Sequence, residues 1–126
     1  MTPPEEKMPE QTIIIVDDEE ELRENLTDLL EFKDYTVHAY SNAEDMLGEL
    51  DSLNPNLFLL DYQLPGMDGI ELLRLLKNKM SSVPVVIVTA STQPAIIEEA
   101  QNSGVDKVVH KPYTQADMIA AIDELI

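Results

Sequence analysis

The stretch Leu57-Phe58-Leu59-Leu60-Asp61-Tyr62-Gln63-Leu64-Pro65-Gly66-Met67-Asp68-Gly69 decides how this chain is read. Its first four residues form an unbroken apolar run, the mark of a strand covered on both faces by other elements. The run closes on an acid, and a carboxylate at the end of a buried strand is costly unless something compensates it.

Working outward, four more short runs appear, Ile13-Ile14-Ile15-Val16, Tyr35-Thr36-Val37-His38-Ala39, Val85-Val86-Ile87-Val88 and Lys107-Val108-Val109, so that three of the five are wholly apolar. The five begin at 13, 35, 57, 85 and 107, so each interval of 22 or 28 residues holds one strand, one helix and two short loops. The intervening segments have helical periodicity. Leu22, Leu26, Leu29 and Leu30 share a face, as do Ala43, Met46, Leu47 and Leu50 behind a Ser41-x-x-Glu44 capping box. A third helix carries Ile70, Leu73 and Leu76, and a fourth opens near Thr92 with Pro94 in its first turn. A fifth carries Met118, Ala121, Ile122 and Leu125 behind Thr114-x-x-Asp117. The pattern is (βα)5, which calls for a doubly wound, five-stranded parallel sheet with helices on both faces.

Residues 1–11, with Pro3, Pro4, Pro9 and no hydrophobic periodicity, are expected to form a flexible tail, leaving 12–126 as one domain. The 126 residues suit a single core. Twenty-five acids against eight bases give a net charge of −17, which repels phosphate backbones and anionic lipids, so direct nucleic-acid or membrane binding is not expected. Zero cysteines exclude disulfides, thiolate metal sites and Cys nucleophiles, and two histidines, His38 and His110, cannot make a three-His site. Met1-Thr2-Pro3-Pro4-Glu5-Glu6 lacks the basic and apolar regions of a secretory signal, and no apolar run approaches the ~18–20 residues of a membrane span, so a cytoplasmic protein is expected.

Ligands of open α/β sheets bind beyond the carboxyl ends of the strands. There, run one is followed by Asp17-Asp18, run three by Asp61, run four by Thr89 and run five by His110-Lys111-Pro112, whereas run two contributes no charge. Three carboxylates around one crevice require a cation. An all-oxygen set with room for water suits Mg2+ better than zinc. A lysine and a hydroxyl facing that cation make sense if a second anion, such as a phosphoryl group, also occupies the site. Asp61 is then the candidate nucleophile, since a carboxylate can attack phosphorus to give an aspartyl phosphate.

In these motifs the chain resembles the response-regulator receiver family of two-component signalling. They are Ile15-Val16-Asp17-Asp18-Glu19, Leu60-Asp61-Tyr62-Gln63-Leu64-Pro65-Gly66-Met67-Asp68-Gly69, Val88-Thr89-Ala90 and Lys111-Pro112-Tyr113, and the likeness covers about residues 12–126. The resemblance implies a flavodoxin-like sheet of order 2-1-3-4-5, which accounts for the silence of run two at an edge. It implies that Asp61 takes a phosphoryl group from the phosphohistidine of a sensor histidine kinase or a histidine phosphotransfer protein, and that the change alters binding to a downstream protein. Asp18 and Asp61 would bind Mg2+ directly, Asp17 through water, with the Gln63 carbonyl completing the set. Thr89 and Lys111 would bind phosphoryl oxygens, the Lys111-Pro112 bond would be cis, and Pro65 and Gly69 would shape the loop. Gln63 and Ser91 would tune dephosphorylation.

The chain departs from the family at Val108, where an aromatic residue that rotates on activation is common, so no aromatic switch is expected. The face of the fourth and fifth helices and fifth strand, with Ile96, Ile97, Lys107, Asp117 and Asp123, is the expected output surface. Among rivals, a haloacid-dehalogenase-like phosphatase lacks its second acid in Asp61-Tyr62-Gln63. An FMN carrier would meet Asp17-Asp18-Glu19-Glu20-Glu21 at its phosphate, and nucleotide hydrolysis lacks a phosphate-binding loop motif. A receiver kept only for docking, without phosphorylation, is opposed by the intact set of Asp17, Asp18, Asp61, Thr89 and Lys111.

Overall fold

A computed structural model describes residues 11–126. It comprises β1 (Thr12–Val16), α1 (Glu20–Phe32), β2 (Thr36–Tyr40), α2 (Ala43–Glu49), a 3-10 turn (Leu50–Ser52), β3 (Leu57–Asp61), α3 (Gly69–Lys79), β4 (Val85–Thr89), α4 (Pro94–Asn102), β5 (Lys107–His110) and α5 (Gln115–Asp123). The strands are all parallel, in the order β2-β1-β3-β4-β5. The (βα)5 reading and the order implied by the resemblance both hold. Of the tail expected over residues 1–11, all but Gln11 lie outside the described residues; the Gln11 carbonyl accepts from the Thr36 N–H at 2.9 Å.

Side chains alternate across the sheet, and both faces are buried. Ile14, Val16, Phe58, Leu60, Val85 and Ile87 pack against Met46, Leu73, Leu76 and Ala100 from α2, α3 and α4. Ile13, Ile15, Leu57, Leu59, Val86 and Val88 pack against Leu26, Leu30, Met118 and Ile122 from α1 and α5. The uninterrupted apolar runs of β1, β3 and β4 follow from this double coverage.

Local chemistry sets the helix starts. Thr114 and Asp117 form the expected reciprocal cap of α5, and Pro94 opens α4 at the first turn, with Gln93 rather than Thr92 before it. The expected Ser41–Glu44 box is not the cap of α2. Asn42 takes that place: its backbone is extended and its side-chain oxygen accepts from the Asp45 N–H at 2.7 Å. The apolar stripe of α2 also stops early, and Leu50 is buried from the 3-10 turn. Leu125 lies beyond α5, which ends at Asp123.

Candidate functional site: an acidic crevice at the strand ends

Four strand ends converge on one crevice. Asp61 is the last residue of β3 and Thr89 the last of β4, while Asp17 and Lys111 are the first residues beyond β1 and β5. Ladder bonds that continue past the strands fix the spacing: Asp17 N–H to Tyr40 O at 3.0 Å, Tyr62 N–H to Val88 O at 2.9 Å and Lys111 N–H to Thr89 O at 2.8 Å. The Lys111-Pro112 bond is cis, as the resemblance implied.

Asp17, Asp61 and Thr89 are 3%, 5% and 2% exposed, the buried polar residues among those described. At that depth Asp17 and Asp61 are not solvated surface acids. Burial pushes the Asp17 carboxyl up to about 6, against the Glu19 N–H bond that lowers it, with the Asp61 charge pushing the same way as burial. Burial likewise raises Asp61, opposed by the Lys111 charge and by hydrogen bonds from Lys111 and the Gln63 N–H. Burial alone would lower the Lys111 ammonium, but Asp61, Asp17 and Glu19 more than offset it, so it is held above its usual value.

The Lys111 ammonium lies 3.3 Å from Asp61 Oδ2 and 3.6 Å from Glu19 Oε1. The other Asp61 oxygen accepts from the Gln63 N–H at 3.3 Å. Thr89 Oγ1 accepts from the Ser91 N–H at 2.9 Å and keeps its own proton to donate. Glu19, Asp61, Tyr62, Gln63, Thr89, Ala90, Ser91 and Lys111 line a cavity of about 340 Å3.

Loop 62–68 is held in place by its own sequence. Asp68 caps α3 by accepting from the Ile70 and Glu71 N–H groups, each at 2.9 Å. Gly69 packs so close to the Asp61 backbone that a Cβ there would lie 2.5 Å from the Asp61 carbonyl oxygen. Gly66 has φ +78°, in the left-handed region.

The carboxylates that come together are not all the ones the sequence singled out. Among the described residues, oxygens of Asp17, Glu19 and Asp61 lie within 4.8 Å of one another. Asp18 is exposed and outside this group, although its charge is felt at Asp61. Glu19 reads in the sequence as one more acid at a helix start. It reaches the crevice because Asp17 Oδ1 accepts its N–H at 2.9 Å, turning the chain back just before α1. Three carboxylates and no nitrogen or sulfur donor form a set suited to a hard cation such as Mg2+. His110 is exposed and His38 half-buried in the edge strand. Val108 is half-buried in β5, Lys107 pairs with Glu124 and Asp117 serves the α5 cap.

Fold and crevice together define a class: a doubly wound α/β domain with buried acids, a hydroxyl and a lysine gathered at its strand ends. The chain belongs to the response regulator receiver domain family, whose model matches residues 13–123. It is 35% identical over 112 residues to the DNA-binding response regulator MtrA of Mycolicibacterium smegmatis, covering 89% of this chain and 49% of that protein. It is 29% identical over 117 residues to the transcriptional regulatory protein ResD of Bacillus subtilis, covering 93% of this chain and 48% of that one. The chain thus spans about half the length of the curated relatives it matches. The crystal structure of a CheY-like response regulator receiver domain protein from Methanospirillum hungatei JF-1 superposes with a TM-score of 0.87 at 29% identity, covering 91% of this chain and 92% of that one. The chain is therefore a receiver domain of the two-component response regulators. No helix among the described residues is long and apolar enough to cross a membrane.

Proposed function

We propose that this receiver takes a phosphoryl group onto Asp61 from the phosphohistidine of a sensor histidine kinase or histidine phosphotransfer protein, and that the modified domain binds a downstream protein differently. The observation that carries this reading is the buried Asp61 with the Lys111 ammonium 3.3 Å from its Oδ2, at the mouth of a cavity that Thr89 also lines.

An Asp61 carboxylate oxygen attacks phosphorus, and the P–N bond to the donor imidazole breaks with its electron pair returning to the ring nitrogen. Lys111, kept protonated by the surrounding acids, neutralises one equatorial oxygen, and the Thr89 hydroxyl donates to another. Gln63 and Ser91, on the cavity wall, govern how water approaches for dephosphorylation. Drawing Thr89 toward the phosphoryl group shifts the Ser91 N–H bonded to it, and with it the segment leading into α4.

Mg2+ would be held by Asp17 and Asp61, with Asp18, the Gln63 carbonyl and Glu19 as the further oxygen donors. When bound, it supplies positive charge to the attacking carboxylate and the transferring oxygens. A 126-residue chain with net charge −17 favours protein partners with basic surfaces over nucleic acid.

Intact-mass analysis after incubation with acetyl phosphate and Mg2+ tests the reading. The expected result is one phosphoryl adduct that disappears with EDTA and in Asp61→Asn. Absence of any adduct, together with failure to bind beryllofluoride, leaves a docking-only receiver.

A further inference from the structure

Residues Asp17 to Glu19 carry the chain from the end of β1 into α1 and supply two of the three carboxylates of the crevice. Asp17 is held at three of its atoms. Its N–H donates to the Tyr40 carbonyl at 3.0 Å, which extends the β1–β2 ladder by one bond, and its Oδ1 accepts from the Glu19 N–H at 2.9 Å. Its carbonyl oxygen receives no backbone N–H among the described residues. Arg23 supplies the donor instead, with Nη1 2.8 Å from the Asp17 carbonyl oxygen. The carbonyl of a buried residue at a strand end needs such a partner.

The spacing along the chain makes this reach possible. Arg23 is the fourth residue of α1, and helical side chains lean toward the N-terminus of their helix, so the guanidinium passes back over the first turn to the residue at the strand end. The Arg23 N–H also donates to the Glu19 carbonyl at 2.9 Å. One residue thus grips both ends of the acidic turn, with its main chain at Glu19 and its side chain at Asp17. None of the ion pairs among the described residues includes Arg23, although Glu19, Glu20, Glu21 and Glu24 are its neighbours in sequence. The guanidinium serves the backbone rather than a carboxylate.

We infer that Arg23 is a positioning residue of the cation site: by clamping the Asp17 carbonyl it holds the Asp17–Glu19 turn in the conformation that brings both carboxylates to Asp61. The inference rests on the Mg2+ reading above. Arg23 acts through Asp17, arranging the acids before the cation arrives, as groups behind metal ligands do elsewhere.

The test compares wild type, Arg23→Met and Arg23→Lys by calorimetric Mg2+ titration at low and high KCl, by amide hydrogen exchange at Glu19 in EDTA, and by urea unfolding in EDTA. Methionine keeps an aliphatic stem and removes the donor, whereas lysine keeps a donor on a long stem. Arg23→Met is expected to bind Mg2+ about fivefold more weakly, by the same factor at both salt concentrations, and to exchange the Glu19 amide about fivefold faster, the worth of one hydrogen bond. Arg23→Lys should come within about twofold of wild type in both readouts. An arginine with a structural role alone would lower the urea midpoint of Arg23→Met and leave Mg2+ affinity where it was, which overturns the inference while leaving the Mg2+ reading intact. A loss of affinity that shrinks as KCl rises also overturns it, because that loss reports the charge of Arg23 and not its bond. Failure of wild type to bind Mg2+ overturns both the inference and the Mg2+ reading.

Discussion

Gly69, the first residue of α3, sits against the backbone of Asp61, the residue that ends β3, and a Cβ at Gly69 would lie 2.5 Å from the Asp61 carbonyl oxygen and 2.8 Å from Tyr62 Cα. Both obstacles are backbone, so neither can swing aside. Gly69→Ala is therefore expected to push the loop away from the acceptor and cost about 1–3 kcal/mol, as overpacking does. Urea unfolding measures the cost, and the rate of phosphorylation by a small donor should fall with it. An unchanged urea midpoint would show that the loop yields freely.

The Asp17 carboxyl, about 6 in the folded chain against an ordinary value of 3.8, makes stability depend on pH. Between those values the folded state holds a proton that the unfolded state has released. Stability of the metal-free protein therefore falls as pH rises from about 4 to about 6, and Asp61, raised in the same direction, adds to the slope. Asp17→Asn should flatten that slope and stabilise the metal-free protein at neutral pH by about 1–3 kcal/mol, while weakening Mg2+ binding. Denaturant midpoints in EDTA across this range check the sign; a midpoint that climbs with pH contradicts it.

Glu19 and Asp18 make opposite claims on the cation. Glu19 lies in the group of carboxylates within 4.8 Å, whereas Asp18 is exposed and outside it. Glu19→Gln is expected to weaken Mg2+ binding about tenfold, the loss of one charged ligand, and Asp18→Asn to weaken it by less. The reverse order of effects would show that Asp18 turns inward when Mg2+ binds, as the family resemblance implies.

Asp34 has φ +69°, the left-handed residue that ends the turn after α1 and the only non-glycine in that region among those described. Asp34→Gly is expected to stabilise the domain by about 0.5–1 kcal/mol, since glycine adopts this conformation without a Cβ clash. The site is untouched, so phosphorylation kinetics should not change. Thermal unfolding reads the gain, and a loss of stability would mean that the greater freedom of glycine in the unfolded chain outweighs the relief.

The sheet was legible because double burial writes itself into a strand as an unbroken apolar run, as in Ile13–Val16 and Val85–Val88. Its strand order was legible only through the motifs at the strand ends. The crevice residues Asp17, Asp61, Thr89 and Lys111 were legible for the same reason, each standing where an apolar run stops. Glu19 was not, because a run of acids before a helix looks like ordinary complementation of the helix dipole, and only the Asp17 turn aims Glu19 inward. The α2 cap went to Asn42 rather than Ser41 through a choice between neighbouring residues that both cap well.

The central claim is that Asp61 itself is the acceptor. Borohydride reduction of the phosphorylated protein, followed by peptide mass mapping, tests it most directly, because an aspartyl phosphate is reduced to homoserine at the modified position. Homoserine at position 61, present only in samples treated with both phosphodonor and Mg2+, is the result this account predicts. Reduction at another carboxylate, such as Asp17 or Glu19, or a phosphoryl adduct that resists borohydride, would contradict it.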